Sequence, residues 1–220
     1  MGILEWWRRR RSADGPSGRR AAAGGRAALA APAPAWTAAD LNFVNELTQR
    51  LGPLYRGFTG GDYARQHGGG FVYRPRGAGI RQYILHHTAG PLSASGSDIW
   101  RYHVRVRGWD TDGYHLLVAP SGAVELLIPP SMMSYGAAAF NPSTVHVCLH
   151  GDYTRNAPTR EALQSIYSVF LALDRAYGGR PWRGHSEIMR TACPGALLPH
   201  LVKMRGASYG DAPTPPARYP

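Results

Sequence analysis

The amino-acid sequence predicts an α/β protein with a mixed central β-sheet flanked by helices. Short β-rich runs alternate with helical patterns along the chain, as in folds where helices pack on a sheet. Two of the runs lie on either side of a Pro-Ser-Gly turn within residues 114–128, which indicates a hairpin inside that sheet. A length of 220 residues and a hydrophobic content of 44% suffice for one well-buried core.

Composition divides the chain into four segments. Residues 1–35 are rich in Arg, Ala, Gly and Pro and poor in large aliphatic side chains, so they cannot bury enough surface to offset the entropy of ordering. We expect a disordered basic arm there and a disordered Pro-rich tail at residues 206–220. Between them, residues 36–79 are predicted to form a helix and a loop, and residues 80–205 to form the main domain.

The first predicted helix begins after Thr37, which is a suitable N-cap because Asp40 follows three residues later, and a Gly-Pro pair ends it. Its apolar positions at helical spacing are Leu41, Val44, Leu47 and Leu51. The run "QYILHH" (82–87) is typical of a buried strand. Residues 97–109 have an apolar repeat that predicts a second helix.

The second half of the main domain starts with the hairpin at 114–128 and continues with a strand at 143–151. The clearest helix spans residues 159–177, and a Gly-Gly pair closes it. Its buried face is predicted to carry Leu163, Ile166, Phe170, Leu173 and Tyr177.

The net charge of +11 is carried almost entirely by arginine, because Lys203 is the single lysine. Such a surface favours polyanionic partners, for example nucleic acid, anionic lipid or an acidic cell-wall polymer. Seven arginines lie in the arm together with Trp6 and Trp7, and this combination predicts binding to an anionic envelope surface. No apolar run approaches the ~20 residues of a membrane helix.

The arm also has features of a signal peptide, because basic residues precede an Ala-rich stretch with small-residue "APA" sites. Arg26 and the neighbouring glycines interrupt the apolar region that a signal peptide needs. We therefore expect a protein made in the cytoplasm without a clear signal peptide.

Three residues stand out as candidates for chemistry: His86, His185 and Cys193. His86 ends a predicted buried strand and His185 follows another, so both face the cleft beyond the sheet. Cys193 is predicted to begin a helix because Pro194 suits the first turn, where the helix dipole stabilises a thiolate. Together they match a three-ligand zinc site with an open fourth position. From the pattern alone, a Cys–His hydrolase pair and a buried thiol beside a surface imidazole remain open.

A second group of metal-binding residue types lies on the strand at 143–151. His146, Cys148 and His150 alternate along it and therefore share one face. This geometry is compatible with a metal, but we interpret it as a packed thiol flanked by two imidazoles that line the sheet.

Four segments, in this order, resemble a known family: "YILHHTAG", "RGWDTDGYHLLVAPSGAVE", "NPSTVHVCLHGDY" and "GHSEIMRTACPG". Over about residues 80–202 the chain is similar to zinc N-acetylmuramoyl-L-alanine amidases, the family that contains T7-type phage lysozymes and animal peptidoglycan recognition proteins. The resemblance implies that His86, His185 and Cys193 bind Zn²⁺, that Tyr114 is catalytic, and that Thr191 lies near the substrate carbonyl. It also implies that residues 80–205 form a zinc amidase domain.

The chain departs from the family pattern at several positions. Gly136 stands where the family often has a histidine, and His146 stands where it usually has a glycine. The sequence "LIPP" (127–130) replaces a Gly-Arg pair at the end of the hairpin. These positions border the substrate groove in relatives, so the resemblance implies an altered groove beside an intact set of metal ligands.

The resemblance implies hydrolysis of the amide bond between N-acetylmuramic acid and L-alanine in bacterial peptidoglycan, by an endolysin or autolysin that acts as a monomer at the cell wall. Zinc suits this reaction because it generates a nucleophile from water near neutral pH and polarises a carbonyl. Three alternatives remain: a peptidoglycan-binding recognition module without catalysis, a metal-independent cysteine hydrolase that uses Cys193 with His185, and a nucleic-acid binder driven by the arginines. No basic strand face interleaved with aromatic residues supports specific nucleic-acid binding.

Overall fold

The computed structural model of the chain describes residues 35–67 and 74–209. Within these ranges the chain forms one six-stranded sheet with helices packed against it. The strands are β1 (Tyr55–Phe58), β2 (Gln82–His87), β3 (Leu116–Val118), β4 (Val124–Leu126), β5 (Thr144–Leu149) and β6 (Trp182–Gly184). The helices are α1 (Ala38–Leu51), α2 (Gly60–His67), α3 (Gly96–Arg101), α4 (Arg160–Tyr177) and α5 (Leu197–Tyr209). None of the helices in the described part of the chain has the length and apolar character needed to cross a membrane.

The sheet is mixed, as predicted. Its strand order is β1-β4-β3-β5-β2-β6, and only β3 and β4 run antiparallel to each other. They form the predicted hairpin, in whose turn Gly122 adopts the left-handed φ of +85°. Because β2 is flanked by β5 and β6, each of its residues from Tyr83 to His87 is buried, which explains its continuous apolar run.

The two faces of the sheet pack against different elements. One face forms the larger core with α1, α4 and α5, and this core includes Phe43, Val147, Phe170, Trp182 and Leu201. The opposite face forms a smaller core around Trp100 of α3. The parallel register of β2 and β5 places His86 opposite Cys148, so polar and sulfur-bearing side chains also lie on this second face. The sheet therefore separates an apolar side from the side that carries the candidate site.

The two long predicted helices are confirmed. Thr37 caps α1 in a capping box with Asp40, and Thr159 caps α4 by accepting a hydrogen bond from the Ala162 backbone. One predicted core position is wrong, because Leu41 is 55% exposed and Phe43 is buried instead. The buried stripe of α1 runs through residues 40, 43, 47 and 51, and this stripe faces α4.

Other boundaries differ from the sequence prediction. Residues 36–79 contain β1 and α2 in addition to the predicted helix, and β1, at four residues, is too short to give a clear period. In place of the single helix predicted at 97–109, the chain forms α3, which ends at Arg101, followed directly by a π-helical turn over Tyr102–Val106. Helix α5 extends four residues into the predicted tail, where Ser208 lies 3.5 Å from the Tyr167 hydroxyl. The remainder of the predicted arm and tail lies outside the described residues.

Asp40 ties the start of α1 to the rest of the molecule. Its carboxylate accepts hydrogen bonds from the Ser131 backbone at 3.0 Å and from the Tyr177 hydroxyl at 2.6 Å, in addition to those from Thr37. Burial acts to raise the pKa of Asp40, but the hydrogen bonds from Ser131, Thr37 and Tyr177 outweigh it and lower the pKa below its ordinary value. A folded-state pKa below the unfolded one means that the carboxylate stabilises the fold at neutral pH and loses this contribution on acidification.

We expect Asp40→Asn to lower the free energy of unfolding by about 1–3 kcal/mol at pH 7, because hydrogen bonds to a buried charged group are lost. The difference from the wild type should shrink below about pH 4, where the unfolded carboxyl is itself protonated. Urea denaturation at the two pH values measures both effects. As a control, Asp62→Asn on the exposed surface of α2 should change stability little. An Asp40→Asn effect of the same size at both pH values would contradict this explanation.

Candidate active site

The three residues predicted as metal ligands lie together. One ligand atom from each of His86, His185 and Cys193 is within 4.8 Å of the others. His86 is near the carboxyl end of β2, and His185 directly follows β6, which pairs with β2 in parallel. Carboxyl ends of parallel neighbours meet at one edge of the sheet, so the two imidazole rings approach to 4.5 Å between centroids.

The ring of His86 is oriented by contacts on both of its nitrogen atoms. Its Nε2 lies 3.0 Å from Nδ1 of His146, and its Nδ1 lies 3.7 Å from the sulfur of Cys193. Nδ1 is therefore the atom that His86 directs into the cluster.

Cys193 does not begin a helix, and this part of the sequence prediction is wrong. It lies in a turn four residues before α5, because the chain is held against a neighbouring loop: the Ala196 backbone donates to the Tyr153 carbonyl at 2.7 Å. The sulfur instead accepts a hydrogen bond from the His87 backbone at 3.3 Å. A backbone amide therefore takes the role that was assigned to the helix dipole.

Burial keeps the three cluster residues neutral. It lowers the pKa of His185 to about 4, and it lowers the pKa of His86 well below its ordinary value, with the neighbouring His185 and His146 adding to the shift. Burial raises the pKa of the Cys193 thiol to about 12, although the His87 hydrogen bond opposes this. At neutral pH both imidazoles therefore offer lone pairs, whereas Cys193 is a thiol rather than a reactive thiolate.

Tyr114 comes just before β3, and its ring lies beside that of His86, with 5.5 Å between centroids. Its hydroxyl group lies near the thiol of Cys148. Burial, with a smaller contribution from Cys148, raises the pKa of Tyr114 well above its ordinary value, so the hydroxyl stays protonated. The fully buried Asp112 accepts the Tyr114 backbone N–H at 2.9 Å and contacts His103 at 3.0 Å. Sequence patterns predict no such support, because His103 lies in the π-helical turn after α3 and Asp112 lies in the loop nine residues later.

Thr191 is exposed and lies two residues before Cys193. Its hydroxyl oxygen accepts the Cys193 backbone N–H at 3.2 Å, and its hydroxyl hydrogen can still be donated. Glu187 is bound to the Gly184 backbone at 2.6 Å and to the guanidinium of Arg205 at 3.0 Å. It therefore closes the turn after β6.

The second candidate metal group does not assemble. Among the described residues, the cluster of His86, His185 and Cys193 is the one whose donor atoms converge. His150 directs Nδ1 to the Ala94 carbonyl at 2.7 Å, and Cys148 is fully buried. This geometry agrees with the interpretation of His146, Cys148 and His150 as a packed thiol flanked by two imidazoles. In addition, His146 contacts His86.

Comparison with known proteins identifies the family of this chain. The model of the family described as N-acetylmuramoyl-L-alanine amidase (Amidase_2) matches residues 76–196, more than half of the sequence. The chain belongs to this family.

Relatives include both recognition proteins and enzymes. Peptidoglycan recognition protein 1 of Bos indicus is 28% identical over 136 residues, which cover 56% of this chain and 71% of that protein. The N-acetylmuramoyl-L-alanine amidase of Homo sapiens is 28% identical over 132 residues, which cover 54% of this chain and 23% of that protein. Among solved structures, the endolysin from Thermus scotoductus bacteriophage Ph2119 has a TM-score of 0.60 and 29% identity, covering 68% of this chain and 98% of that one.

We expect Cys193 to be a poor nucleophile in protein kept free of metal by a chelator. With the thiol pKa raised to about 12, its alkylation by iodoacetamide at pH 8 should be more than about 10-fold slower than that of an unstructured cysteine, whose pKa is near 8.5. The rate should keep rising with pH above 9, because the thiolate fraction is still small there. Mass spectrometry of the Cys193 peptide measures the rate, with the urea-unfolded chain as control. Equal rates in folded and unfolded protein would contradict the raised pKa.

Proposed function

We propose that this protein is a zinc-dependent amidase that hydrolyses the bond between N-acetylmuramic acid and L-alanine in bacterial peptidoglycan. The observation that carries the proposal is the convergence of His86, His185 and Cys193 within 4.8 Å, beside the protonated hydroxyl of Tyr114. Family membership supports the amide substrate, and the likeness to a phage endolysin supports action at the bacterial cell wall.

The donor set fits zinc. Two neutral imidazoles and one cysteine are the ligand types that Zn²⁺ prefers, and three protein ligands are typical of catalytic sites because the fourth position stays open. When bound, zinc supplies a nucleophile near neutral pH and polarises the substrate carbonyl. His86 and His185 need lose no proton to bind it, whereas Cys193 must give up its thiol proton.

The other residues of the site act on the substrate oxygen. Tyr114 keeps its proton at neutral pH and can donate a hydrogen bond to the oxygen on which negative charge develops during attack on the amide. In this proposal the exposed hydroxyl of Thr191, two residues before Cys193, donates a second hydrogen bond to the same oxygen. The Tyr114 backbone donates to Asp112 and the Cys193 backbone donates to the Thr191 hydroxyl oxygen, and these contacts keep both donors in position before substrate arrives.

A recognition module without catalysis is the second candidate, because a relative of this chain carries the name peptidoglycan recognition protein. The presence of the complete His–His–Cys cluster together with Tyr114 favours the enzyme. A cysteine hydrolase is disfavoured, because burial raises the pKa of Cys193 instead of lowering it.

Two substitutions separate metal binding from catalysis. Cys193→Ala removes a ligand and should lose both zinc and activity. Tyr114→Phe removes one hydroxyl and should keep zinc while turnover falls by about 10²-fold or more, as when one oxyanion donor is lost. Elemental analysis and release of L-alanine amino termini from purified peptidoglycan measure the two properties.

Chelation provides the matched control for these variants. Activity of the wild type should disappear with a chelator and return with added zinc. Full activity of the metal-stripped protein would rule out the zinc mechanism, and native turnover by Tyr114→Phe would remove the role assigned to that hydroxyl.

A further inference from the structure

His146 is the immediate neighbour of a proposed metal ligand. It lies on β5, is fully buried, and places Nδ1 3.0 Å from Nε2 of His86. A neutral His86 that uses the lone pair of Nδ1 to bind metal carries its hydrogen on Nε2, so the hydrogen bond runs from His86 to Nδ1 of His146.

The surroundings of His146 fit its imidazole ring. A Cβ atom added to Gly136 would lie 2.6 Å from Cγ and 2.7 Å from Nδ1 of His146, so the space beside the ring exists only because residue 136 has no side chain. On another side, the ring of His115 stacks against it with 5.7 Å between centroids, and Nδ1 of His115 accepts the His146 backbone N–H at 3.0 Å. The two departures from the family pattern at residues 136 and 146 are therefore parts of one arrangement.

Packing alone does not explain a histidine at this position. Its Nε2 is buried and has no hydrogen-bond partner among the described residues, and a buried unsatisfied donor destabilises the fold. An apolar side chain of similar size would avoid this cost. The ring contact that distinguishes histidine from such a side chain is the hydrogen bond to His86.

We propose that His146 is a positioning residue, which holds His86 in the orientation that directs Nδ1 at the metal. Metal-binding histidines usually donate their second N–H to a carboxylate, a carbonyl or water, and this partner fixes the ring. Here the acceptor is a neutral imidazole supplied by the adjacent strand. The inference rests on the proposed zinc site. The family resemblance implies that the histidine at position 146, where the family usually has a glycine, is part of an altered substrate groove. We interpret it here as a residue that supports a metal ligand.

The experiment compares zinc affinity, measured by chelator competition, in the wild type and three variants. His146→Leu keeps the volume but removes the acceptor, and its affinity should fall by about 10- to 100-fold, as for other partners of metal ligands. His146→Asn should bind nearly as tightly as the wild type, because its side-chain oxygen can take the place of Nδ1.

The control variant is His150→Leu. His150 is also buried and its Nε2 has no hydrogen-bond partner in the described part of the chain, but its Nδ1 is hydrogen-bonded to the Ala94 carbonyl and not to a proposed metal ligand. This variant should keep zinc affinity, because the hydrogen bond that it loses does not reach a proposed ligand. Without metal, the His146→Leu and His150→Leu proteins should show similar melting temperatures, because each variant loses one hydrogen bond together with one unsatisfied buried nitrogen.

Equal zinc affinity of the wild type and His146→Leu would overturn the positioning role, and so would equal weakening by Leu and Asn. A wild-type protein that binds no zinc would instead refute the proposed function, and the inference with it. Because affinity is measured in the absence of substrate, these two failures are distinguishable.

Discussion

The candidate site depends on the parallel pairing of β2 with both of its neighbours. Pairing with β6 brings His185 to the edge where His86 ends its strand, and pairing with β5 brings His146 beneath the same ring. No local interaction joins these residues, since 99 positions separate His86 from His185 (185 − 86) and 60 separate it from His146. Hydrophobic burial of both sheet faces fixes the register, and a shift by one residue would turn His86 to the opposite face of the sheet.

Burial also decides the chemistry of the site. It disfavours every charged form, so the imidazoles remain neutral and the thiol keeps its proton. The backbone amide of His87 compensates in part by donating to the sulfur of Cys193. The site is thereby suited to a divalent cation, whose charge would outweigh the cost of forming a buried thiolate.

Sequence patterns predicted those parts of the structure that have a local cause. Strand β2 has a continuous apolar run because both of its faces are covered, and α4 has a cap, an amphipathic stripe and a closing glycine. Residue type and family resemblance predicted His86, His185 and Cys193 as metal ligands, and the structure brings the three side chains together. The prediction that Cys193 begins a helix was wrong, because a contact with the distant Tyr153 loop delays the start of α5.

Long-range contacts could not be found in the same way. Three contacts depend on which strands and turns become neighbours: the hydrogen bond between His86 and His146, the fit of the His146 ring against Gly136, and the support of Tyr114 by Asp112. The alternation along β5 placed His146 on the correct face, but only the strand order shows that His86 is the residue beside it.

The most direct test of the central claim is to identify which bond, if any, the protein cuts in peptidoglycan. Purified peptidoglycan would be digested with the wild-type protein, and the products assayed both for new amino termini and for new reducing sugars. An amidase releases L-alanine amino termini and leaves the number of reducing sugars unchanged. New reducing sugars without new L-alanine amino termini would show that a glycosidic bond is cut, and would contradict the assignment.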